Sequence, residues 1–307
     1  MALELIDKHK KQATWMINRF CNFRCPYCTV PEEQRANPAL LGNKNIEPAV
    51  DFFNKTGEWY INLSGGEPFL HPKFIELCQR LTEKHFLLMN SNLSSPKVYE
   101  FADKIDPKRV VNIVASLQLT ELEKFNLKNS FIEKIKYLKK KGFQVGCTLV
   151  MWPPFFNKIE EIYSEFEKHG IRVYPNSFYG TYEGKKYPES YTDEQYEIMK
   201  KFSGGIKGKR DPNVHKERVS FLGQNCYSGH THVVISFNGD IQRCLSDYTH
   251  LGNMYKGDMN LFKKPEKCAQ KNCLCVWEGH KFAEKEKSLN ERLDKLTERA
   301  KKLKNAI

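Results

Sequence analysis

The feature that most constrains the fold is an alternation of short β-branched or aromatic runs with longer amphipathic runs across the first two thirds of the chain. The short runs predict strands at Thr14–Arg19, Glu58–Ser64, His85–Asn90, Arg109–Leu117, Phe143–Met151 and Ile171–Pro175. The amphipathic runs predict helices over about 46–56, 72–83, 95–103, 121–141 and 157–169. Six strands separated by helices indicate an α/β fold, a parallel sheet that is open or curled into a partial (β/α)6 barrel. Functional residues are then expected in loops at the carboxyl ends of the strands.

The pattern changes after Pro175. A capping box from Thr192 to Gln195 predicts the start of a helix, and the segment 203–218 is rich in Gly, Pro and charge. Asn238-Gly239 then predicts the turn of a hairpin between Val233–Phe237 and Asp240–Arg243. We therefore expect an α/β domain over 13–205, a small cysteine-rich β-hairpin domain over 219–278 and a C-terminal amphipathic helix over 279–307. That helix is expected to dock on the chain itself; a dimer seam or a partner contact is the alternative.

Composition limits the class of protein. With 40% hydrophobic residues the chain can bury a core, which excludes a wholly disordered protein. The net charge of +12 permits an anionic partner, but +4 of it lies in residues 279–307 and the remaining basicity is ordinary for a lysine-rich protein, so nucleic acid is not indicated. No run is long enough to span a membrane and no signal peptide is recognisable. We therefore expect a cytoplasmic, reducing environment, where clustered cysteines bind metals or react.

Three cysteines follow the first strand in the sequence Cys21-Asn-Phe-Arg-Cys25-Pro-Tyr-Cys28. A 4Fe-4S cubane has four irons, so three thiolate ligands leave one iron open to an outside molecule. A structural zinc ion requires a fourth protein ligand, and no further His or Cys lies nearby in sequence. A zinc site or a purely structural iron–sulfur cluster is nevertheless the alternative interpretation. The second strand ends in Ser64-Gly65-Gly66-Glu67-Pro68, where the glycines allow close approach of the backbone to a ligand and the carboxylate can hold an ammonium group.

Together the two motifs resemble the radical S-adenosylmethionine (radical SAM) superfamily, with CxxxCxxC after strand one, GGEP after strand two and βα repeats over about 13–176. The resemblance implies that the open iron chelates the amino and carboxylate groups of S-adenosylmethionine. The reduced cluster then cleaves this molecule to a 5′-deoxyadenosyl radical. By the same resemblance, Cys21, Cys25 and Cys28 bind the cluster, and Gly65, Gly66 and Glu67 hold the methionyl amine.

Three more positions match the family. Tyr27 matches an aromatic position near the adenine, whereas Asn90, with Asn92, and Ser116 match strand-end positions that touch the ribose or carboxylate. Polar caps at the strand ends are the alternative for Asn90 and Ser116. Many family members have Ser-Leu-Asp where this chain has Ser116-Leu117-Gln118. Because of this difference, the resemblance supports the ligand contact expected from strand four less strongly.

A second cysteine group has the pattern Cys226-x12-Gly239-x4-Cys244, followed by Cys268-x4-Cys273-x-Cys275. This group resembles the twitch version of the C-terminal SPASM extension, which implies one auxiliary 4Fe-4S cluster. Five thiols would supply four ligands with one to spare. A zinc ribbon is the alternative, because thiolate sites suit zinc equally well.

Two other cysteines and one loop complete the set of candidate features. Cys78 and Cys147 fall inside a predicted helix and a predicted strand, where burial as small apolar residues is expected. A hydrogen-atom donor facing the barrel interior is the alternative for Cys147. The aromatic loop Met151–Phe156 leaves strand five at the functional end of the sheet, where it either shields the site from water or packs in the core.

The motifs do not specify a substrate. Relatives with such extensions act on ribosomal peptides or on sugars and aminocyclitols. About a dozen residues precede strand one, so a leader-binding domain would be a separate protein, and the Tyr-rich segment 174–191 suits polyols. We therefore expect oxidation or epimerisation of a small polar metabolite of the sugar or aminocyclitol type. The alternatives are maturation of a ribosomally made peptide by a crosslink, thioether or epimerisation and, more distantly, a non-catalytic cluster or zinc protein. The expected partner is an electron donor such as flavodoxin or ferredoxin, with no membrane.

Overall fold

The computed structural model describes residues 10–203, 214–217 and 220–273. Its strands, in chain order, are β1 (Lys11–Met16), β2 (Trp59–Ser64), β3 (Phe86–Ser91), β4 (Val110–Ser116), β5 (Val145–Met151), β6 (Val173–Ser177), β7 (Gly180–Tyr182), β8 (Lys185–Tyr187), β9 (Asn225–Cys226), β10 (His232–Ile235), β11 (Asp240–Gln242), β12 (His250–Asn253), β13 (Asp258–Met259) and β14 (Glu266–Lys267).

One ten-stranded sheet has the order β13-β12-β11-β10-β1-β2-β3-β4-β5-β6. The six strands β1 to β6 are parallel and neighbour one another in chain order. This arrangement confirms the predicted α/β fold with a parallel sheet, and it brings the carboxyl ends of β1 to β4 to one edge. The curvature of the sheet into a partial barrel stays a prediction.

The helices are α1 (Glu32–Arg35), α2 (Glu47–Thr56), α3 (Phe74–Thr82), α4 (Lys97–Lys104), α5 (Leu119–Lys124), α6 (Lys128–Lys140), α7 (Ile159–Lys168) and α8 (Asp193–Ser203). Helix α3 shows why the amphipathic runs fold this way. Its buried residues Phe74, Leu77, Cys78 and Leu81 recur at helical spacing and form one apolar face. Cys78 is therefore a core residue, as expected.

Two details depart from or refine the predicted elements. The helix predicted over 121–141 is divided into α5 and α6, because Asn126 between them has a left-handed φ of 53°, a conformation that no helix interior accepts.

The capping box at the start of α8 is present: the Thr192 amide donates to Gln195 Oε1 at 3.1 Å, and the Gln195 amide donates to Thr192 Oγ1 at 3.1 Å.

Cys147 lies in β5 on the side of the strand that packs into the core. It is paired in register with the buried residue Ala115 of β4, and its own side chain is buried. The neighbouring Thr148, which points to the opposite face, is paired with Ser116. Cys147 therefore points away from the face that carries Ser116, which argues against a hydrogen-atom donor at the site.

The predicted cysteine-rich hairpin joins the main sheet. Strands β10 and β11 form the hairpin, and β10 pairs in parallel with β1, with His232 opposite Gln12 and Ile235 opposite Trp15. All four residues of β10 are buried, so this strand can serve as an interior strand of the sheet. The expectation of a structurally separate hairpin unit is corrected accordingly: its strands extend the sheet of the α/β domain, and the domain limits 219–278 stay a prediction.

Parts of several predictions lie outside the described residues. These are Cys275, the helix over 279–307 and most of the boundary segment 203–218. Within the residues that the structure describes, no helix has both the length and the apolar character needed to cross a bilayer.

Arg243 holds together the loops around the hairpin. Its Nε donates to the Ser228 carbonyl at 3.2 Å, and Nη2 donates to the carbonyls of Glu266 and Lys267 at 3.1 and 3.0 Å. Its Nη1 lies 2.9 Å from Asp247 Oδ2, and both side chains are largely buried. One guanidinium thus connects the ends of β9 and β14 with the loop that follows β11.

Replacing Arg243 with Met should lower the free energy of unfolding by about 3–5 kcal/mol, because it leaves the largely buried Asp247 without its partner. Urea unfolding of the full chain measures the loss. Lys104→Met, which removes the exposed ion pair with Glu100, is the matched control and should change stability little. Equal effects of the two variants would refute a structural role for Arg243.

Candidate functional site

The first cysteine group lies in the loop that leaves the carboxyl end of β1. Cys21 and Cys25 are buried, and Cys28 is exposed. The Cys28 amide donates to the Cys25 carbonyl at 3.2 Å, and the Cys21 amide donates to the Arg35 carbonyl at 3.0 Å. The three thiols therefore lie on one compact turn whose start is fixed to the end of α1.

Burial sets the pKa values of the two inner thiols. Burial, opposed by the Phe23 amide bond, raises the pKa of Cys21 to about 11. Burial and then the nearby thiols of Cys21 and Cys28 raise the pKa of Cys25 further still. Coordination to a metal would remove these protons.

The number of thiols on the loop is compatible with a cluster. A cubane binds each thiolate at a different iron, so Cys21, Cys25 and Cys28 would supply three ligands of a 4Fe-4S cluster and leave one iron open. Among residues 10–203, 214–217 and 220–273, no preformed group of three His, Cys, Asp or Glu side chains that could hold a metal ion is found.

The glycines of the GGEP loop are required by the chain itself. The Gly66 amide donates to the Asn18 carbonyl at 3.2 Å and to Asn18 Oδ1 at 3.1 Å. A Cβ on Gly66 would lie 2.0 Å from the Phe20 carbonyl oxygen, and one on Gly65 would lie 2.4 Å from the Asn18 carbonyl oxygen. The absence of a Cβ thus lets the GGEP loop lie directly on the backbone that leads into the cysteine loop, and the ligand contact expected at Gly65 and Gly66 stays a prediction.

The Glu67 carboxylate is bound by three donors of the protein. The side chain is only 1% exposed; Oε1 accepts from Ser91 Oγ at 2.7 Å and from the Phe69 amide at 3.1 Å, and Oε2 accepts from the Asn92 amide at 2.7 Å. Burial raises the pKa of Glu67 to about 7, although all three hydrogen bonds oppose that rise. A carboxylate offers about four acceptor positions, so little capacity is left for a ligand ammonium. Glu67 thus connects the loop after β2 to the end of β3.

Asn92 extends this connection to the cysteine loop. Its Nδ2 donates to Cys21 Sγ at 3.8 Å and to Asn22 Oδ1 at 3.3 Å, and Asn22 in turn donates from Nδ2 to Ser94 Oγ at 2.9 Å. The loops after β1, β2 and β3 are therefore joined by hydrogen bonds. The sequence predicts Asn92 as a ribose or carboxylate contact, but it gives no sign of the roles of Ser91 and Asn92 toward Glu67, because both interactions depend on the meeting of two strand ends.

Asn90 and Ser116 lie where the sequence places them. Asn90 is in register with Val114, and Ser116 follows two residues later, so both side chains project from the same face of the sheet and are partly exposed. Gln118, at the position where the family often has Asp, has a buried Oε1 without a hydrogen-bond partner in the described part of the chain. These groups line the edge of the sheet next to the cysteine loop.

Tyr27 is packed among the aromatic residues after β5. Its ring centroid lies 5.7 Å from that of Trp152 and 5.9 Å from that of Phe155. Phe155 is buried, whereas Trp152 stays partly exposed and also contacts Tyr182. The loop Met151–Phe156 therefore both packs in the core and covers one side of the cysteine loop, which combines the two roles expected for it.

The second cysteine group is partly assembled. Strand β9 pairs with β14, with Cys226 opposite Glu266, and the Cys268 amide donates to the Gln224 carbonyl at 2.9 Å. Burial raises the pKa of Cys226. Arg243, the residue before Cys244, donates to the carbonyls of Ser228 and Lys267, which lie near Cys226 and Cys268 in the chain. The structure thus brings together the segments that carry Cys226, Cys244 and Cys268. Cys273 is buried close to the end of the described chain.

The comparisons with known proteins agree with this geometry. Residues 15–166 match the model of the Radical SAM superfamily. Among curated proteins, the mycofactocin maturase MftC of Mycobacterium ulcerans is 31% identical over 72 residues, which cover 24% of this chain and 19% of that protein. GTP 3′,8-cyclase of Haemophilus influenzae is 36% identical over 84 residues, which cover 25% of each chain. These matches thus span about a quarter or less of the relatives' own length.

Solved structures show the same fold over more of the chain. The enzyme anSMEcpe with bound AdoMet has a TM-score of 0.57 at 15% identity, covering 80% of this chain and 78% of that chain. SuiB of Streptococcus suis bound to S-adenosylmethionine has a TM-score of 0.53 at 18% identity, covering 80% of this chain and 64% of that chain. At these identities the likeness shows the fold alone.

The cysteine loop after β1, the GGEP loop after β2 and the parallel sheet that positions them lie within the matched segment. We conclude that residues 15–166 form a domain that matches the Radical SAM superfamily.

Proposed function

We propose that the chain is a radical SAM enzyme of the oxidoreductase type that reductively cleaves S-adenosylmethionine. The observation that carries the proposal is a set of hydrogen bonds made by Glu67 and Asn92. These bonds join the loops after β1, β2 and β3, and the cysteine motif lies on the first of these loops. In this arrangement Cys21, Cys25 and Cys28 would hold a 4Fe-4S cluster whose open iron binds S-adenosylmethionine, and Gly65 and Gly66 lie on the adjoining loop. An electron donor of the flavodoxin or ferredoxin type would supply the reductant.

The protein's part in the reaction is to bind, orient and shield. When bound, the cluster and S-adenosylmethionine supply a 5′-deoxyadenosyl radical that abstracts a hydrogen atom from the substrate. The Gly65-Gly66 backbone would hold the methionyl amine, while Glu67 keeps that backbone in place. Tyr27 and Trp152 would exclude water from the reacting atoms on one side.

Asn90 and Ser116 are the proposed polar contacts to the ribose or carboxylate. Both project from one face of adjacent strands, at the edge where the cysteine loop lies. Neutral hydrogen-bonding groups suit these parts of the ligand, since they fix orientation without adding charge beside the cluster.

We propose a peptide as the substrate. The chain is similar to the mycofactocin maturase MftC and to SuiB in complex with its precursor peptide SuiA, the latter with a TM-score of 0.52 and coverage of 90% of this chain. The structure of anSMEcpe with a bound peptide has a TM-score of 0.54. The expectation of a sugar or aminocyclitol substrate has no support among the relatives that carry the argument, and we replace it with peptide modification.

The second cysteine group is proposed to hold an auxiliary 4Fe-4S cluster. Cys226, Cys244 and Cys268 lie on segments that Arg243 holds together, and Cys273 or Cys275 would complete the ligands. The donor set fits in its chemistry, because soft thiolates suit an iron–sulfur cluster. An auxiliary cluster can accept the electron that hydrogen abstraction leaves on the substrate.

Anaerobically reconstituted protein should bind about eight irons and about eight sulfides per chain, which corresponds to two cubanes. Replacing Cys21, Cys25 and Cys28 with Ala should leave about four of each and abolish the reductive cleavage of S-adenosylmethionine. Iron, sulfide and 5′-deoxyadenosine quantitation test this. Cys78→Ala is the matched control and should keep the full iron content. Cleavage retained in the triple variant would refute the catalytic cluster.

The double variant Cys226→Ala, Cys244→Ala should lose the auxiliary cluster, about four irons and about four sulfides, and keep the uncoupled formation of 5′-deoxyadenosine. The reason is that the two cysteine groups lie on different loops, and only the first would bind S-adenosylmethionine. Iron quantitation and product analysis provide the measurement. A double variant with its full iron content would show that these two residues are not cluster ligands.

The raised pKa of Glu67 predicts a pH-dependent stability. The folded-state pKa of about 7 exceeds the ordinary value of 4.5, so the folded chain holds this proton more tightly than the unfolded chain. The contribution of the Glu67 carboxyl to the free energy of unfolding is present below pH 4.5. It is lost as pH rises through about 7, a change of about 3 kcal/mol.

The test of this contribution is a difference between two variants. The free energy of unfolding of the wild type minus that of Glu67→Gln should fall by about 3 kcal/mol as pH rises from 4.5 through about 7 and then stay level. Glu76→Gln, at an exposed position, is the control and should show no fall of this size. A flat difference for Glu67→Gln would mean that folding does not raise the pKa of this carboxyl.

A further inference from the structure

Arg35 is buried against the cysteine loop. It ends α1, directly after the loop, and its residue is only 6% exposed. Nε donates to the Val30 carbonyl at 2.8 Å, and Nη1 donates to the Cys25 carbonyl at 3.3 Å. Its own carbonyl accepts from the Cys21 amide at 3.0 Å. Both the backbone and the side chain of Arg35 thus hold the loop that carries the first cysteine group.

The guanidinium has no carboxylate as counter-ion among the described residues. Its hydrogen-bond acceptors there are backbone carbonyls alone. The largely buried Arg243 differs, since it pairs with Asp247 at 2.9 Å, and the more exposed Arg24 lies 4.0 Å from Glu32. A buried charge is costly unless an opposite charge or a metal site compensates it. Arg35 therefore requires an anion that the carboxylates of the described chain do not provide.

The groups that can provide this negative charge are the cluster cysteines. Nη1 of Arg35 donates to the carbonyls of Phe23 and Cys25 at 3.5 and 3.3 Å, so the guanidinium is fixed against the loop that carries the three sulfurs. A cubane with three thiolates carries a net negative charge, which increases when the cluster is reduced.

We propose that Arg35 is the counter-charge of the cluster on Cys21, Cys25 and Cys28, a positioning residue that fixes the loop and favours the reduced cluster. The proposal rests on the proposed function. A fixed positive charge in a buried site stabilises the more negative oxidation state, so it raises the reduction potential of the cluster. The bonds of Arg35 to the loop carbonyls keep that charge at a constant distance from the sulfurs.

The first test compares the stability of the chain with and without its clusters. Arg35→Met keeps the apolar stem of the side chain and removes the charge. Without clusters, the variant should lose only the stability contributed by the hydrogen bonds to the loop carbonyls; with clusters, it should lose more stability and release iron faster, because the counter-charge is also gone. Thermal unfolding and iron release measure this. A loss of stability that is equal in both forms, or a variant that fails to fold, would reduce Arg35 to a structural residue and overturn the proposal.

The second test is the midpoint potential of the first cluster, measured in protein that also carries Cys226→Ala and Cys244→Ala. Arg35→Gln should shift the potential to a more negative value, and Arg35→Lys should stay nearer the wild type. Arg24→Gln is the matched control, because Arg24 also binds loop carbonyls but has Glu32 beside it; its shift should be smaller. Equal potentials in Arg35→Gln and wild type would overturn the proposal. If the wild-type cysteines take up no cluster at all, the proposed function fails instead, and the two failures are thereby distinguished.

Discussion

The buried carboxylate of Glu67 is the interaction on which the candidate site depends, because it joins loops that the sheet merely brings near. Parallel strands align their carboxyl ends but leave the loops beyond them independent. Glu67 accepts from Ser91 and Asn92 at the end of β3, and Asn92 donates to Cys21 after β1. Loss of this carboxylate would remove the hydrogen bonds that connect the loops after β1, β2 and β3. Its burial, which raises its pKa to about 7, is therefore the cost of a rigid site.

Much of this architecture is readable from the sequence. Alternating burial along β5 and the apolar spacing of α3 follow from side-chain periodicity, so strand and helix positions are predicted to within a few residues. The cysteine spacing and the GGEP motif place the site at the strand ends for the same reason. The break at Asn126 was not predicted, because a single left-handed residue within a long polar-apolar run leaves no periodic signal.

Contacts between distant segments were beyond the sequence patterns. The parallel pairing of β10 with β1 joins residues more than two hundred positions apart. The local sequence of His232–Ile235 does not predict which strand it pairs with. The close approach of Gly66 to the Phe20 carbonyl could not be predicted either. A glycine in the sequence indicates that another group can come close to the backbone, but only the fold shows which group does so. Arg35 also lacks a pattern, since a single arginine after a loop is typical of exposed helix ends and its burial depends on how the loop closes around it.

Arg35 and Arg243 solve the same problem of loop closure with different electrostatics. Each donates to backbone carbonyls next to cysteines, Arg35 around Cys25 and Arg243 around Cys226 and Cys268. Arg243 carries its own counter-ion, Asp247, so its charge is compensated before any ligand binds. Arg35 is not compensated by a carboxylate of the described chain. Under the proposed function, an anionic centre therefore gains more from the loop at Arg35 than from the loop at Arg243. The buried charge at the first cysteine group would then favour a negatively charged cluster, whereas the second group is held together by an arginine whose charge is already paired.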